Sequence, residues 1–448
     1  MCDFYLILVV LVDVLIIYER KQRELENAIL LQIELEKRGF SCEITQFYEA
    51  AKFNIFNVNP PKVILSPHLY NTKSVYRNFA RFGHAKFLVN LQYEQVLSKK
   101  WEELGAHTPK GLAQNFYHIC WGDKIVKRLI EGKVPEGNVK VFAPLHLDLL
   151  RAEYRPQEAL IKEELSRRYR LDIKKEWVLF LSSFTYADIE LDRLKINEAA
   201  AGIDLSDFPV IHSKSRNKLL DWFREILSKD GNKLFIYRPH PDELSIEQIE
   251  QIEQEYSNFC VIRDEAVKTW ISASDVIYSW YSTSVVEAHF LGKPYSILRP
   301  YVLPDSFDSV LLKHGKFIES YTEFEADYFL NNEVRQFAID DIYIKKYYQV
   351  NPTVATHKVF SDFLENLIKS EQRQKIAPFD YKEYAIAKIK VLAVYPIYVV
   401  NKLLNRAWVM RIFGAKGLFA LLSTEMNNQI ASDSEKEKIK AHLKKMIN

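Results

Sequence analysis

Short, continuous apolar runs alternate along this chain with longer stretches in which apolar residues recur every three or four positions, and the pattern restarts near its middle. An apolar run over about 6–18 leads into RELENAILLQIELEKRG, where Leu25, Ile29 and Ile33 stand at four-residue helical spacing and Gly39 marks the stop. Further strands are expected at SCEITQF (41–47), KVILSP (62–67), KFLVNLQ (86–92), YHICWG (117–122) and VKVFAP (139–144), most of them separated by helical stretches. A polar helix over 155–171 reads as a connector. The alternation resumes at EWVLFLSSF (176–184) and passes through a polar stretch (188–212) that reads as an inserted loop. It continues with the helix RNKLLDWFREILSK, the strand KLFIYRPHP, the helix SIEQIEQIEQEY, the strand FCVIRD, the helix VKTWISASD and the strand VIYSWYS.

Such strand–helix alternation predicts α/β domains with doubly wound parallel sheets. Two of them are expected, facing a cleft: residues 1–150, then a connector at 151–175, then 176–345. A returning helical segment (346–380) and a basic, aromatic, helical tail (381–448) would follow. The length of 448 residues fits two domains with an appendage.

Composition narrows this picture. Net charge is +2, so the whole molecule is no binder of nucleic acid. Residues 381–448 nevertheless hold 12 Lys+Arg against 5 Asp+Glu, a local +7 that leaves −5 for residues 1–380. Within the tail, the longest uncharged run (Val391–Asn401) is eleven residues with Pro396 inside it. That is too short to span a bilayer but suited to lying on one, or to packing back over the N-terminal domain. Cys2, Cys42, Cys120 and Cys260 form no CxxC pair, which disfavours a zinc cluster or disulfide framework and fits a reducing cytoplasm. The opening MCDFYLILVVLVDVLIIYE carries Asp3 and Asp13 and has no basic n-region, and its uncharged run Phe4–Val12 is nine residues. It reads as a buried strand rather than a signal peptide.

The chemistry concentrates at strand ends. KLFIYRPHP (233–241) delivers Arg238 and His240 to a sheet's carboxyl edge, where open α/β folds bind ligands. SWYSTSVVEAHFLGKP (279–294) brings Ser282, Thr283 and Ser284 to a helix start, where free N–H groups attract anions. Ser284 and Glu287 have capping-box spacing, and Glu287 could also accept from a ribose diol. Ser182 and Ser183 follow the first strand of the second domain and would face the same edge. Cation, imidazole and hydroxyls together suggest a phosphate or diphosphate ligand. In the first domain, Glu19 ends the first strand, with Arg23 and Glu24 just beyond it on the acceptor side. Glu19 is the leading choice for a catalytic carboxylate, and Glu94, after KFLVNLQYE, is the second. No DxD-like metal motif lies in a suitable loop.

RPHP after a strand, followed by STSVVEAHFLGKP, resembles the donor half of bacterial surface-polysaccharide transferases of the two-domain GT-B type. That group includes CDP-glycerol glycerophosphotransferases and Kdo and sialyl transferases. YERKQRELENAILLQIELEKRGFSCEI and NLQYEQVLSKKWEELGAHTPKG resemble surface carbohydrate biosynthesis proteins of the same group, and the likeness covers roughly 12–345. The resemblance implies that Arg238 and His240 hold nucleotide phosphates, joined by Ser282, Thr283 and Ser284. It implies a CMP- or CDP-linked sugar or polyol-phosphate donor, no metal cofactor, and a growing, lipid-linked glycan as acceptor. A nucleotide-sugar 2-epimerase of the same fold and a non-catalytic assembly protein are the alternatives. The expected location is the cytoplasm, peripheral on the anionic inner face of the membrane. His240 could also act at the leaving group, as a third catalytic candidate.

Overall fold

The computed structural model describes residues 12–201, 204–243, 246–403 and 429–447, and the chain divides into two compact units. The first unit takes in the described residues through Gln95, then His107–Leu149, then those from Lys346 onward. The second comprises Val96–Ala106 and Leu150–Lys345.

The first unit is built on β1 (Val14–Tyr18), α1 (Lys21–Lys37), β2 (Cys42–Gln46), β3 (Val63–Ser66), α2 (Thr72–Phe82) and β4 (Phe87–Asn90). After α3 (Lys99–Glu103), which belongs to the second unit, it resumes with β5 (Tyr117–Cys120), α4 (Asp123–Glu131) and β6 (Val139–Val141). The strands lie in the order β2-β1-β3-β4-β5-β6, all parallel. Every residue of β1, β3 and β4 is buried, the signature of parallel strands covered on both faces. Strand order reverses direction between β1 and β3. With right-handed crossovers, α1 and α2 then fall on opposite faces, and the reversal opens a crevice at the carboxyl ends of β1 and β3. The first strand expected over 6–18 is Val14–Tyr18 here, and residues 6–11 lie outside the described ones.

The second unit contains α5 (Glu158–Tyr169), β7 (Glu176–Leu181), α6 (Leu191–Ala201), α7 (Asp207–Lys229), β8 (Lys233–Arg238), α8 (Glu247–Glu255), β9 (Phe259–Val261) and α9 (Val267–Ala273). It continues through β10 (Val276–Ser279), α10 (Val285–Phe290), β11 (Tyr295–Leu298), β12 (Phe317–Ile318) and α11 (Tyr321–Tyr328). Its order is β12-β11-β10-β7-β8-β9, again all parallel, with the reversal between β7 and β10. The polar stretch at 188–212 is not a loop but α6 and the start of α7. Its charged residues Asp192 and Lys195 face solvent while Leu194, Leu205 and His212 are buried, so polarity marked an outer helical face.

The chain ends with α12 (Asp341–Tyr347), α13 (Thr356–Lys369), α14 (Tyr381–Leu403) and α15 (Asp433–Ile447). The described parts of the tail pack on the first unit, α14 against α2 and α15 against α1. Phe379, Tyr384 and Ala387 join the core formed by Val75, Phe79 and Phe82 of α2. Two of the five lysines of α15 reach into the first unit, Lys440 to Glu36 at 2.7 Å and Lys436 to the Ile44 carbonyl at 3.2 Å, while Lys438, Lys444 and Lys445 are exposed. Trp408, Phe413 and Phe419, and the side chain of Tyr398, lie outside the described residues.

Candidate functional site

The second unit gathers its polar groups at the carboxyl edge around the β7/β10 reversal. β8 ends at Arg238, whose Nη1 donates to the Asp264 carbonyl at 2.7 Å and whose Nη2 donates to the Glu265 carbonyl. Main-chain oxygens orient this guanidinium and leave its charge without a paired carboxylate among the described residues. Burial pulls Arg238 down to about 10, with Glu287, Tyr169 and Asp264 opposing. His240 is half-buried, and its Nδ1 accepts from the Asp242 N–H at 3.1 Å. A neutral ring therefore carries its proton on Nε2.

Behind these two lies a buried network that reading the sequence missed. Glu243 is 2% exposed; it accepts from Ser182 Oγ at 2.5 Å and from the His240 N–H at 3.2 Å. The Tyr237 hydroxyl lies 2.9 Å from both Ser182 Oγ and Glu243 Oε1. Burial pushes Glu243 above the usual carboxylate range although Ser182, Tyr237 and the His240 N–H pull it down. The network fixes the turn that carries His240. It also uses the Ser182 proton, so Ser182 acts here as a support; Ser183 is buried beside it in sequence.

After β10 the expected capping box is absent. Ser284 makes no side-chain cap hydrogen bond, and α10 is six residues long. Ser282 does the capping instead: its Oγ accepts from the Ser284 N–H at 3.2 Å, while its own N–H donates to Ser279 Oγ at 3.2 Å. The turn begins two residues earlier than the Ser–Glu spacing suggested, which frees Glu287 from the cap. Thr283 is exposed and Ser284 half-buried. Glu287 is half-buried with its Oε2 shielded from solvent and unpartnered among the described residues. Burial raises it to about 7, against the pull of Lys268 and Arg238. Next to this edge, after β11, Arg299 is fully enclosed and pairs with Asp308 at 3.0 Å.

The first unit's edge is built differently. Glu19 follows β1 and is 37% exposed; its main-chain N–H donates to Glu24 Oε2 at 2.6 Å. Glu24 is wholly buried, and Arg23 clamps its Oε1 with Nη2 at 2.7 Å and Nε at 3.0 Å. The same guanidinium reaches Glu94 Oε1 at 2.8 Å, so the four acceptor-side residues of the sequence reading form one cluster. Burial raises Glu24 despite Arg23; burial also raises Glu94, but there the Arg23 charge and hydrogen bond win, and Glu94 sits below the usual range.

His68, from the turn after β3, was not foreseen. Its Nδ1 lies 3.6 Å from Glu19 Oε2, and its Nε2 lies 2.8 Å from Arg77 Nη2, which can only donate. Burial and then the nearby arginines pull His68 down to about 3. The imidazole is therefore neutral, with Nδ1–H facing Glu19, and the contact is not an ion pair. His68, Tyr70 and His107 stack in sequence, at 5.5 and 4.7 Å between ring centroids.

No protein-family model matches the sequence, and no curated protein matches it. Solved structures do. A histidine-to-alanine variant of the wall teichoic acid polymerase TagF matches with a TM-score of 0.53 and 11% identity, covering 80% of this chain and 89% of that one. A TagF variant soaked with CDPG matches at 0.51 and 13%, with the same coverage. The UDP-GlcNAc 2-epimerase from Neisseria meningitidis, bound to UDP-GlcNAc, reaches 0.46 and 12%, covering 79% of this chain and 99% of that one. The TagF likeness shows the fold: two Rossmann-like parallel-sheet α/β domains of the GT-B-like class.

Proposed function

We propose that the protein is a glycosyltransferase of surface-polysaccharide biosynthesis, moving a sugar or polyol phosphate from a CMP- or CDP-linked donor to a growing glycan. The observation that carries this reading is the β7/β10 edge of the second unit. There Arg238 is a guanidinium held by main-chain oxygens rather than by a carboxylate, beside the imidazole of His240 and the unpartnered Glu287. That set suits a nucleotide: the cation and the imidazole meet phosphate oxygens, and the carboxylate takes a ribose hydroxyl. The first unit supplies the base. Within the first unit, Glu19 is the candidate to take the proton of an acceptor hydroxyl as that oxygen forms its new bond. Within the second unit, Arg238 is the candidate to hold the charge left on the nucleotide phosphate when its bond to the transferred group breaks. Glu94, tied down by Arg23, is the weaker candidate for this step. A cation and fixed N–H donors can hold the leaving charge, so the reading needs no metal.

A lipid-linked acceptor at an anionic membrane face fits the surface of α14. Ile389, Leu392 and Tyr395 are 66%, 54% and 44% exposed there, on the same helix as the exposed Lys382 and Lys390. Phe56, 89% exposed, adjoins them in a loop whose Ile55 carbonyl accepts from Lys388. Among the described residues no helix is long and apolar enough to cross a membrane. The exposed apolar residues of α14 are what support the reading of surface binding.

Thermal stabilisation by a panel of nucleotides tests the donor half. CMP or CDP should raise the melting temperature most. A shift confined to UDP-sugars would favour an epimerase instead, and no shift with any nucleotide would leave only a non-catalytic assembly role. Flotation with phosphatidylglycerol vesicles tests the membrane half, with Ile389→Asp/Leu392→Asp expected to abolish it; equal flotation of both proteins would refute the α14 surface.

A further inference from the structure

Buried guanidiniums in this protein generally face carboxylates. Arg216 pairs with Asp188, Arg299 with Asp308 at 3.0 Å, and Arg335 with Asp327 at 2.7 Å. Two arginines one turn apart on α2 do not. Arg77 and Arg81 have no carboxylate within ion-pair distance among the described residues, and the Nε of each is shielded and unpartnered. Their recorded hydrogen bonds are few: Arg77 Nη2 to His68, and Arg81 Nη1 to the Phe47 carbonyl at 2.8 Å. Both guanidiniums pack on the ring of Phe47, at 4.8 and 4.2 Å from its centroid, and Arg81 also lies 4.7 Å from that of Tyr48. Arg81 is 5% exposed, whereas Arg77 is half-buried and reaches the carboxyl edge where His68, Tyr48 and Tyr70 border Glu19.

Two neighbouring buried cations repel one another and lose hydration, so the arrangement is costly unless an anion completes it. Cation–π contact with Phe47 and Tyr48 offsets part of that cost and fixes the geometry. Glu19 acts on Arg77 only at longer range, through His68, and is itself placed for other work.

We infer that the first unit carries an anion site of its own, in which Arg77 binds a phosphate ester of the acceptor while Arg81 strengthens the local positive field. The inference rests on the reading of this unit as the acceptor side and adds what that reading lacks, a group that recognises the acceptor. An acceptor anchored by its phosphate on Arg77 brings a hydroxyl of the same molecule to Glu19. The planar guanidinium fork matches phosphate oxygens in pairs, which a lysine at this position would not.

The experiment is calorimetric titration of the full-length protein with glycerol 3-phosphate, with and without saturating CDP. The wild type should bind the ester equally in both conditions. Arg77→Ala should weaken that binding at least tenfold, Arg77→Lys should weaken it less, and Arg238→Ala should leave it unchanged. Arg77→Lys keeps the charge and serves if the alanine variant does not fold. No binding by the wild type, or the same affinity in Arg77→Ala and Arg77→Lys as in the wild type, overturns the inference. Failure to bind CDP would count against the donor reading instead, since the titration without CDP still reports on Arg77. Flotation with phosphatidic acid vesicles separates two sources of the phosphate: Arg77-dependent flotation assigns it to a lipid-linked ester, and Arg77-dependent binding of glycerol 3-phosphate alone assigns it to a soluble one.

Discussion

The two sheets share a topology, each with a reversal in strand order that opens a carboxyl edge, yet the edges are chemically opposite. At the second unit's edge the leading cation, Arg238, is held by neutral carbonyls, and the carboxylate Glu287 is left unpaired. At the first unit's edge the cation nearest the carboxylates, Arg23, is saturated by Glu24 and Glu94, and Glu19 stands beside a neutral imidazole. An unpaired cation attracts a phosphate; an exposed carboxylate beside a hydrogen-bond donor accepts a proton. The same backbone frame thus presents a donor-binding edge and a base-bearing edge that keeps Arg77, rather than Arg23, free of any carboxylate among the described residues, and the difference lies in which charges are already neutralised inside the protein.

Removing the proposed base should have the largest effect. Glu19→Gln is expected to reduce turnover by about 10²–10⁴-fold, the usual contribution of a positioned base, with donor affinity unchanged. Steady-state kinetics with saturating donor checks this; near-normal turnover would move the role to Glu94.

The next effect is on stability. Arg23→Ala leaves the Glu24 carboxylate buried without its partner, and should cost about 2–4 kcal/mol at neutral pH, the range for breaking a partly buried pair. Without Arg23, the folded-state value of Glu24 rises still further above its unfolded value near 4.5. The deficit should therefore be small near pH 4.5 and grow as pH rises. Urea melts at several pH values measure it, and Glu24→Gln in the same background should recover most of the loss. A deficit independent of pH would mean that Arg23 acts by packing alone.

A smaller effect separates the edges by pH. Glu287 has a folded value of about 7, above its unfolded 4.5, so its contribution is present below pH 4.5 and is lost as pH rises to 7. Glu287→Gln, always neutral, should gain on the wild type across that window by about 1–2 kcal/mol, allowing for partial exposure. A constant difference between the two proteins from pH 4.5 to 8 would show that Glu287 is not perturbed. Arg238→Ala removes a charge that holds Glu287 down, and should move this window upward.

How much of this was legible in the sequence follows from where each residue sits. Arg238, His240, Glu19 and Glu94 end apolar strands, and a strand that stops at polar or Pro-flanked residues marks an edge without any tertiary information. Arg77 and Arg81 sit on an amphipathic helix, where arginines four residues apart ordinarily mean a solvated face. Only the packing of Phe47, Tyr48 and Phe53 against α2 covers them. Glu243 reads as one acid in a polar turn, and its burial against Ser182 and Tyr237 depends on strands β7 and β8 pairing in register, Leu181 with Arg238. The capping error at Ser284 has a local cause: spacing gives the partners of a cap, but not which of three consecutive hydroxyl residues starts the turn. The polar stretch 188–212 concealed two helices because their buried positions, Leu194, Leu205 and His212, are sparse.

The central claim is that the second unit's edge binds the nucleotide while the first unit's edge does not. The most direct test is calorimetric titration of CDP and CMP into the wild type, Arg238→Ala, His240→Ala and Glu19→Gln, at one salt concentration. Losing a charge-assisted bond to phosphate costs about 1.5–3 kcal/mol, so Arg238→Ala and His240→Ala should each weaken binding by about 10–100-fold. Glu19→Gln should bind as the wild type does. Unchanged affinity in both Arg238→Ala and His240→Ala, or an equal loss in Glu19→Gln, would contradict the account.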